Sequence, residues 1–161
     1  MPGEDTSLLD VSGLRVHVPG RVLVEALDMT LARGEFIAVL GRNGSGKTLS
    51  LLTLAGLRLP AAAPLRLAGD AMIALQRQPV AKRLALLPQD TDYIFPSPVL
   101  DTALIGRHPH IGRLRWESPE DYERARDSLA MVGIAELADR DVLSLSGGER
   151  RRLAIAQILT Q

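Results

Sequence analysis

The sequence contains no cysteine, which excludes disulfide bonds, thiol catalysis and iron–sulfur ligation. Its three histidines, His17, His108 and His110, lack the spacing of a zinc site. The 19 basic and 19 acidic residues balance, so no global field attracts nucleic acid or anionic lipid. No apolar run is long enough to cross a bilayer, and residues 1–5 lack the basic-then-apolar order of a signal peptide. We expect a cytosolic protein that has no nucleic-acid partner and reaches a membrane only through another subunit.

The most informative stretch is a glycine-rich loop that fits the pattern G-x-x-x-x-G-K-[ST] throughout. It consists of Gly41, Arg42, Asn43, Gly44, Ser45, Gly46, Lys47 and Thr48. The apolar residues 36–40 before it predict a strand buried in a parallel sheet, and the leucines after it predict a helix that ends near Gly56. Inward-turned N–H groups and the helix N-terminus attract phosphate, Lys47 can reach the β- and γ-phosphates, and Thr48 can bind Mg²⁺. The loop therefore predicts a phosphate cradle, and a chance glycine-rich turn is the alternative.

Short strands and later helices surround this loop. The strand pattern covers residues 8–16, 22–31, 65–67 and 83–87. The first two segments predict an antiparallel hairpin with its turn at Pro19–Gly20, and residues 60–64 have the composition of a linker. Residues 99–160 are predicted to be mostly helical, with Ser118 capping the start of one helix and Gly133 ending it.

A second motif, L-S-G-G-E at Leu145–Glu149, opens the last predicted helix. A capping box accounts for Ser146 and Glu149. It does not account for two adjacent glycines, which cost up to about 1 kcal/mol each relative to alanine. Nor does it account for the three arginines that follow, at the positive end of the helix dipole. Such local costs indicate a functional site, here for an anion bound by the Ser146 hydroxyl and the N–H groups of Gly147 and Gly148.

The glycine-rich loop, Gln89 after the apolar residues 84–88, and L-S-G-G-E follow one another in this order. Together they resemble the ATP-binding subunit of ABC transporters, from about residue 8 to the end of the chain. The resemblance implies an α/β fold: the core sheet of an ABC-type P-loop NTPase, an antiparallel β layer and an inserted α-helical subdomain. It implies one partial domain over residues 1–161, divided into the β layer and core (8–90), the helical subdomain (91–145) and the signature helix (146–161).

The resemblance also implies a role for each motif. Gly41–Thr48 would be the Walker A loop that binds the phosphates of ATP, with Thr48 and Gln89 contacting Mg²⁺. Gln89 would also touch the attacking water and face a transmembrane partner. The signature residues would close over the ATP of the other copy in a head-to-tail homodimer: Ser146, Gly147, Gly148 and Glu149. Where the family usually places an aromatic residue against adenine, this chain has His17 or Val18.

A finer resemblance concerns residues 105–110, which include Gly106-Arg107-His108-Pro109-His110. They are similar to the GR-x-PH segment of importers of iron–siderophore, haem and cobalamin. This implies transmembrane permease subunits as partners, a periplasmic or surface substrate-binding protein as an indirect one, and a cytoplasmic position, peripheral on the inner face of the plasma membrane. Because a proline separates His108 from His110, a loop is predicted here in preference to a metal site.

In the family, the signature helix is followed by an apolar strand ending in Asp-Glu, then by a D-loop and a histidine switch, and none of these precedes Gln161. We therefore expect a fragment or a truncated reading frame. It would bind ATP, hydrolyse it poorly or not at all, and aggregate through an exposed sheet edge. The full-length protein would be an ATPase.

Three alternatives stay open. A soluble ABC-type ATPase acting on DNA or ribosomes usually carries long coiled-coil insertions, zinc motifs or basic arms, which this sequence lacks. A small P-loop kinase or GTPase would have no use for L-S-G-G-E. The third alternative, a non-catalytic nucleotide-binding regulator, agrees with the missing Asp-Glu strand.

Overall fold

The computed structural model describes residues 7–58, 64–89, 93–112 and 115–161. By its internal contacts the chain divides into two compact units, Met1–Leu84 and Ala85–Gln161. We call them the N-terminal unit and the C-terminal unit. The finer division predicted from the sequence, with boundaries after residues 90 and 145, stays a prediction.

The N-terminal unit contains a four-stranded antiparallel sheet in the order β2-β1-β3-β4. Its strands are β1 (Ser7–Val18), β2 (Arg21–Ala32), β3 (Leu65–Leu67) and β4 (Asp70–Ala71). Val18 lies opposite Arg21 across the turn of the β1–β2 hairpin, where Gly20 has a φ of +76°. This left-handed backbone favours glycine. The predicted hairpin and the predicted strand at residues 65–67 are thereby confirmed.

The core of this unit lies on one face of the sheet. Leu9, Val11, Leu14 and Val16 of β1 are buried there, together with Leu54 from helix α1 (Lys47–Leu54). The register of β1 against β2 shifts on both sides of Leu14, which explains why the apolar positions alternate imperfectly in the sequence. A 3-10 turn (Met72–Ala74) and the short helix α2 (Arg77–Ala81) complete the unit. Burial of Leu54 fixes α1, and with it the loop at its start, against the sheet.

Two predicted strands do not form. Residues 36–40 have no strand assignment and are exposed, with Phe36 and Leu40 each 90% exposed. The prediction of a strand buried in a parallel sheet is therefore wrong for this chain, and so is the prediction of a strand at residues 83–87. A buried parallel strand needs hydrogen-bonded neighbours, and the one sheet among the described residues is antiparallel and contains neither segment. Most of the predicted linker (residues 60–63) lies outside the described residues.

The C-terminal unit is helical, which confirms the prediction for residues 99–160. Its helices are α3 (Val99–Leu104), α4 (Pro119–Met131) and α5 (Gly147–Thr160), with 3-10 turns at Ile105–His110, Ala135–Leu137 and Val142–Ser144. At the start of α4, Ser118 Oγ accepts from the Asp121 N–H at 3.3 Å, and the Ser118 N–H donates to Asp121 Oδ2 at 2.9 Å. After its last turn Gly133 has a φ of +68°. The predicted cap and stop of this helix are both confirmed.

The three helices pack around a shared core. Its fully buried side chains are Val99 and Ala103 of α3, Ala125 and Leu129 of α4, Leu153 and Ala156 of α5, and Ile134 and Val142 from the connecting turns. All three helices contribute to one apolar cluster, so the position of α5 is set by packing along its length.

Candidate nucleotide-binding site

The glycine-rich loop has the backbone that its glycines predict. Gly44 and Gly46 have φ values of +78° and +94°, and Gly46 is the N-cap residue of α1. Both values lie in the left-handed region, which is costly for residues with a Cβ. A side chain at Gly46 would also place its Cβ 3.0 Å from the Cβ of Leu23 on β2. The fold itself therefore requires glycine at position 46.

The loop also closes tightly on itself. A Cβ at Gly41 would lie 2.8 Å from Ser45 Oγ, and the Ser45 N–H donates to the Arg42 carbonyl at 3.2 Å. The backbone thus curls into a small concave turn at the N-terminus of α1. A Cβ at Gly44 would meet no atom within 4 Å, so the backbone at the tip of the turn is open to an approaching phosphate.

Lys47 lies across this turn. Its Nζ atom donates to the carbonyl oxygens of Gly41 at 2.7 Å and Arg42 at 2.9 Å. The ammonium group is therefore held over the loop by two backbone oxygens, and it retains a third proton for an anion. The next residue, Thr48, is exposed at the second position of α1, so its hydroxyl is accessible from solvent.

His17 and Val18 lie at the end of β1, within the N-terminal unit. They line a shallow groove of about 350 Å³ with Arg15, Gly20, Arg21 and Val22. His17 is exposed and Val18 half-buried, and the His17 carbonyl accepts a hydrogen bond from Arg58. An adenine contact at either residue stays a prediction.

The start of α5 contains the predicted capping box. Ser146 Oγ accepts from the Glu149 N–H at 3.3 Å, and the Ser146 N–H donates to Glu149 Oε2 at 2.7 Å. Hydrogen bonds from the Ser146 hydroxyl and N–H, aided by the charges of Arg140 and Arg152, lower the pKa of the Glu149 carboxyl. Glu149 is therefore ionised and ordered at neutral pH, next to the positive end of α5.

Gly147 and Gly148 differ from the glycines of the loop. Both are exposed, neither has a positive φ, and a Cβ at either position would meet no atom within 4 Å. Within the described part of the chain, no close approach or left-handed backbone requires glycine there. The surface above them is bare enough for another molecule to reach the backbone N–H groups.

The arginines after the motif correct the sequence interpretation. Arg150 donates to the carbonyls of Leu145 at 3.1 Å and Leu143 at 3.0 Å. Arg151 donates to the carbonyls of Pro88 at 2.8 Å and Gln89 at 3.2 Å. Both side chains therefore stabilise the fold, so the argument that the arginines are costs without a structural reason is wrong for these two.

Gln89 is exposed in the C-terminal unit, and its backbone carbonyl accepts a hydrogen bond from Arg151 at 3.2 Å. The structure connects it through Arg151 to the helix that follows Ser146. Sequence reasoning missed this connection, since Gln89 and Arg151 are 62 residues apart and no spacing rule joins them. The loop, His17 and Val18 belong to the N-terminal unit, whereas Gln89 and the residues Ser146, Gly147, Gly148 and Glu149 belong to the C-terminal unit.

The GR-x-PH segment has a structural explanation as well. A Cβ at Gly106 would collide with the Gln157 carbonyl oxygen of α5. Arg107 donates to Asp121 Oδ1 at 2.7 Å and to the Thr160 carbonyl at 3.2 Å. Hydrogen bonds from the Ser118 N–H, Arg107 and the Ser118 hydroxyl lower the pKa of Asp121 to about 2. Glycine and arginine are therefore used here to fasten the 105–110 turn to α4 and α5.

Comparison with known proteins identifies relatives of this chain. The sequence model of the ABC transporter family matches residues 24–161. The cobalamin import ATP-binding protein BtuD of Halobacterium salinarum is 37% identical over 153 residues, which are 95% of this chain and 38% of that protein. The hemin import ATP-binding protein HmuV of Deinococcus radiodurans is 40% identical over 151 residues, 94% of this chain and 56% of its own. This chain thus spans about two fifths to three fifths of these relatives.

Solved structures agree with the family match. A metal-chelate type ABC transporter in an inward-facing conformation superposes with a TM-score of 0.80 and 29% identity, over 96% of this chain and 56% of that one. The protein cbiO1 from Clostridium perfringens, part of the ABC transporter complex cbiONQ, gives a TM-score of 0.79 and 25% identity over 97% and 62%. The predicted fold class is confirmed. In the described ranges no helix combines the length and the apolar character of a membrane span.

Proposed function

The chain belongs to the ABC transporter family, and from that premise we propose that it is part of an ATP-binding subunit that drives import of a metal chelate. Iron–siderophore, haem and cobalamin are the candidate substrates, since relatives named for cobalamin and hemin import are 37% and 40% identical. The GR-x-PH segment carries less weight for the substrate, because Gly106 and Arg107 already have packing and hydrogen-bonding roles.

The ligand of the glycine-rich loop is the triphosphate of ATP. The turn leaves open space at Gly44, where a Cβ would meet no atom, and Lys47 already places its ammonium group beside two loop carbonyls. An arriving phosphate would receive the backbone N–H groups, the lysine charge and the helix dipole together. The residues present therefore fit this ligand.

Mg²⁺ fits the same site through few protein ligands. Thr48 would supply a hydroxyl, with phosphate oxygens and water filling the remaining positions, as Mg²⁺ prefers; a contact from Gln89 rests on the family resemblance alone. The described residues contain no cluster of three or more histidine or carboxylate side chains that could hold a metal, and none is needed for this mode. When bound, Mg²⁺ neutralises charge on the β- and γ-phosphates. The groove at His17 and Val18 would receive the adenine, by ring stacking or apolar contact.

The observation that carries the proposal is the exposed pair of glycines at the start of α5. Among the described residues, neither a close contact nor a left-handed backbone requires glycine at positions 147 and 148, so their N–H groups are open to a ligand from another molecule. We place that ligand in a second copy: Ser146, Gly147 and Gly148 would contact the γ-phosphate bound at the other copy's loop, with Glu149 holding the serine in place. Two copies would then pair head to tail.

This pairing gives ATP a mechanical role. Charge-assisted hydrogen bonds to the γ-phosphate, about 1.5–3 kcal/mol each, favour the closed pair. Loss of that phosphate on hydrolysis removes them, and the pair reopens. The surface around Gln89 and the helical block would transmit this motion to permease subunits at the inner face of the plasma membrane. A substrate-binding protein outside the membrane would act only through the permease.

The test is a pair of lysine variants, because Lys47 and Lys82 are the only two lysines of the chain. Lys47→Ala should weaken binding of a Mg²⁺-bound ATP analogue by about 100-fold or more, roughly 3 kcal/mol, since it removes the ammonium group that lies over the loop. Lys82→Ala, at an exposed position in the same unit, should bind as the parent chain does. Isothermal titration measures both. Equal affinity in the two variants, with circular dichroism unchanged, would refute the assignment of the loop.

Ser146→Arg separates the two halves of the proposal. Its bulk and charge should prevent pairing, whereas the loop in the N-terminal unit stays intact, so affinity for the analogue should change less than about twofold. Pairing of the full-length protein, followed by light scattering with the analogue present, should be lost. A folded Ser146→Arg chain that no longer binds nucleotide would contradict this separation of roles.

A further inference from the structure

Arg151 connects two elements of the C-terminal unit that are remote in sequence. Its Nη1 atom donates to the carbonyl oxygens of Pro88 at 2.8 Å and Gln89 at 3.2 Å. Arg151 itself lies in the second turn of α5, five residues after the N-cap Ser146. We propose that Arg151 is a positioning residue that fastens Gln89 to the end of the helix that carries Ser146. The roles of Gln89 and Ser146 rest on the proposed function, but the attachment itself does not.

The segment before Gln89 needs an attachment of this kind. Residues 85–88 form no strand, so no sheet ladder fixes their backbone. Pro88 has no N–H, which leaves its carbonyl as the only backbone group that can be held. Leu86 and Leu87 are half-buried, whereas Gln89 is exposed. Arg151 therefore contacts the chain where it passes from the half-buried Leu87 to the exposed Gln89. Burial of side chains does less to fix the backbone there.

Arginine suits this task by its geometry and charge. Its planar guanidinium group presents several N–H donors, which can serve two neighbouring carbonyls. The preceding residue, Arg150, uses its guanidinium differently, on the carbonyls of Leu143 and Leu145 just before the helix. The two arginines thus fasten two separate segments to one helix end.

This attachment has a consequence for the proposed pair of ATP sites. Gln89 would face the nucleotide bound by its own copy, whereas Ser146 and Gly148 would face the nucleotide of the other copy. A displacement of the Gln89 backbone would either pull on the start of α5 through Arg151 or break the hydrogen bond between the Gln89 carbonyl and Arg151. Arg151 therefore couples the state of one nucleotide site to the signature residues of the other.

The first experiment needs no ligand. The ¹⁵N-labelled chain is compared with Arg151→Ala, Arg151→Lys and the control Arg124→Ala, which removes an exposed arginine of α4 paired with Glu120. Backbone order parameters should fall at Gln89 from about 0.85 to below about 0.6 in Arg151→Ala. Arg151→Lys should restore much of that order, since one ammonium can still reach a carbonyl, and Arg124→Ala should leave Gln89 unchanged. Should Arg151→Ala not fold, Arg151→Gln, which removes the charge and shortens the side chain but keeps part of its bulk, is measured in its place.

The second experiment measures the coupling. Gln89→Gly, which loosens the backbone whose carbonyl Arg151 holds, should shift the amide signals of Ser146, Gly147 and Gly148 in the parent chain. In an Arg151→Ala background the same substitution should shift them at least about threefold less. A residue that merely stabilises the helix would lower the unfolding midpoint without changing this response.

The outcomes separate the two claims. Unchanged order at Gln89 in the arginine variants, or equal shifts in both backgrounds, would overturn the role of Arg151. The proposed function is tested apart from this, by adding a Mg²⁺-bound ATP analogue to the same samples: loop amide signals that do not respond would overturn the nucleotide site, and would leave the attachment of Gln89 standing on the ligand-free data.

Discussion

The loop at Gly41–Thr48 and the start of α5 are both glycine-rich helix N-termini, yet the structure explains the presence of glycine differently in each. In the loop, Gly44 and Gly46 have positive φ values, and a Cβ at Gly46 would press against Leu23. At α5, Gly147 has a negative φ and open space around it, and so does Gly148. The first pair is required by the chain's own backbone, and the second pair is not.

This difference distinguishes two ways in which a sequence can encode phosphate binding. The loop forms its site internally, so its glycines can be explained from this chain alone. Under the proposed function, the start of α5 would offer N–H groups and a capped serine to a second copy, and this would explain glycines that no contact among the described residues requires. A glycine that the fold does not need is therefore informative about a partner.

The largest expected effect concerns the support of α5. Arg107 and Asp121 are only 13% and 12% exposed, and Arg107 also donates to the Thr160 carbonyl at the far end of α5. Asp121→Asn would leave this arginine without its counter-charge and should destabilise the C-terminal unit by on the order of 3 kcal/mol. Urea unfolding measures it. Asp127→Asn, on the exposed side of the same helix, is the control. An equal loss of unfolding free energy in both variants would show that the ion pair adds no stability of its own.

The same carboxylate predicts a pH dependence. The folded pKa of Asp121, about 2, lies below its ordinary value of 3.8, so its contribution to stability is complete above pH 3.8 and is lost as the pH falls toward 2. The free energy of unfolding should therefore decline over this interval in the parent chain, and decline less in Asp121→Asn. Parallel curves for the two proteins would show that another group dominates the acid response.

The loop side of the comparison is tested by Gly46→Ala. Positive φ together with the approach to Leu23 should cost about 1–3 kcal/mol and displace the loop N–H groups, so affinity for a Mg²⁺-bound ATP analogue should fall at least about tenfold. Gly34→Ala has a comparable φ of +80° and open space, and it lies outside the loop. It should lose stability but bind normally. If both variants bound nucleotide equally well, the loop glycine would not be needed for the site.

The smallest effect has the opposite sign. Gly148→Ala should stabilise the chain by a few tenths to about 1 kcal/mol, because alanine favours the helix and meets no atom. Nucleotide affinity at the loop should stay within about twofold, while pairing of the full-length protein should weaken. Gly133→Ala, at a φ of +68°, should instead destabilise. A destabilised Gly148→Ala would mean that the fold does require this glycine.

Local patterns in the sequence were sufficient to predict much of the fold and to select the residues of the candidate site. The hairpin, the capped α4, the stop at Gly133 and the capping box at Ser146 all depend on residues within a few positions of one another, or on one tight turn. The motif residues of the loop and of α5 could be chosen for the same reason, because each motif is contiguous.

Features that depend on distant contacts could not be predicted. Residues 36–40 have the composition of a buried strand, but a strand also needs neighbours in the sheet, and composition does not supply them. The bonds from Arg151 to Pro88 and Gln89 and the pair Arg107–Asp121 likewise join residues that tertiary structure alone brings together. The roles of Gln89, His17 and Val18 stay predictions.

The most direct test of the account is a titration of the ¹⁵N-labelled chain with a Mg²⁺-bound, non-hydrolysable ATP analogue. Large shifts are expected at Gly44, Gly46 and Lys47, and these shifts should be lost in Lys47→Ala. A folded chain whose loop signals stay in place at saturating analogue would contradict it.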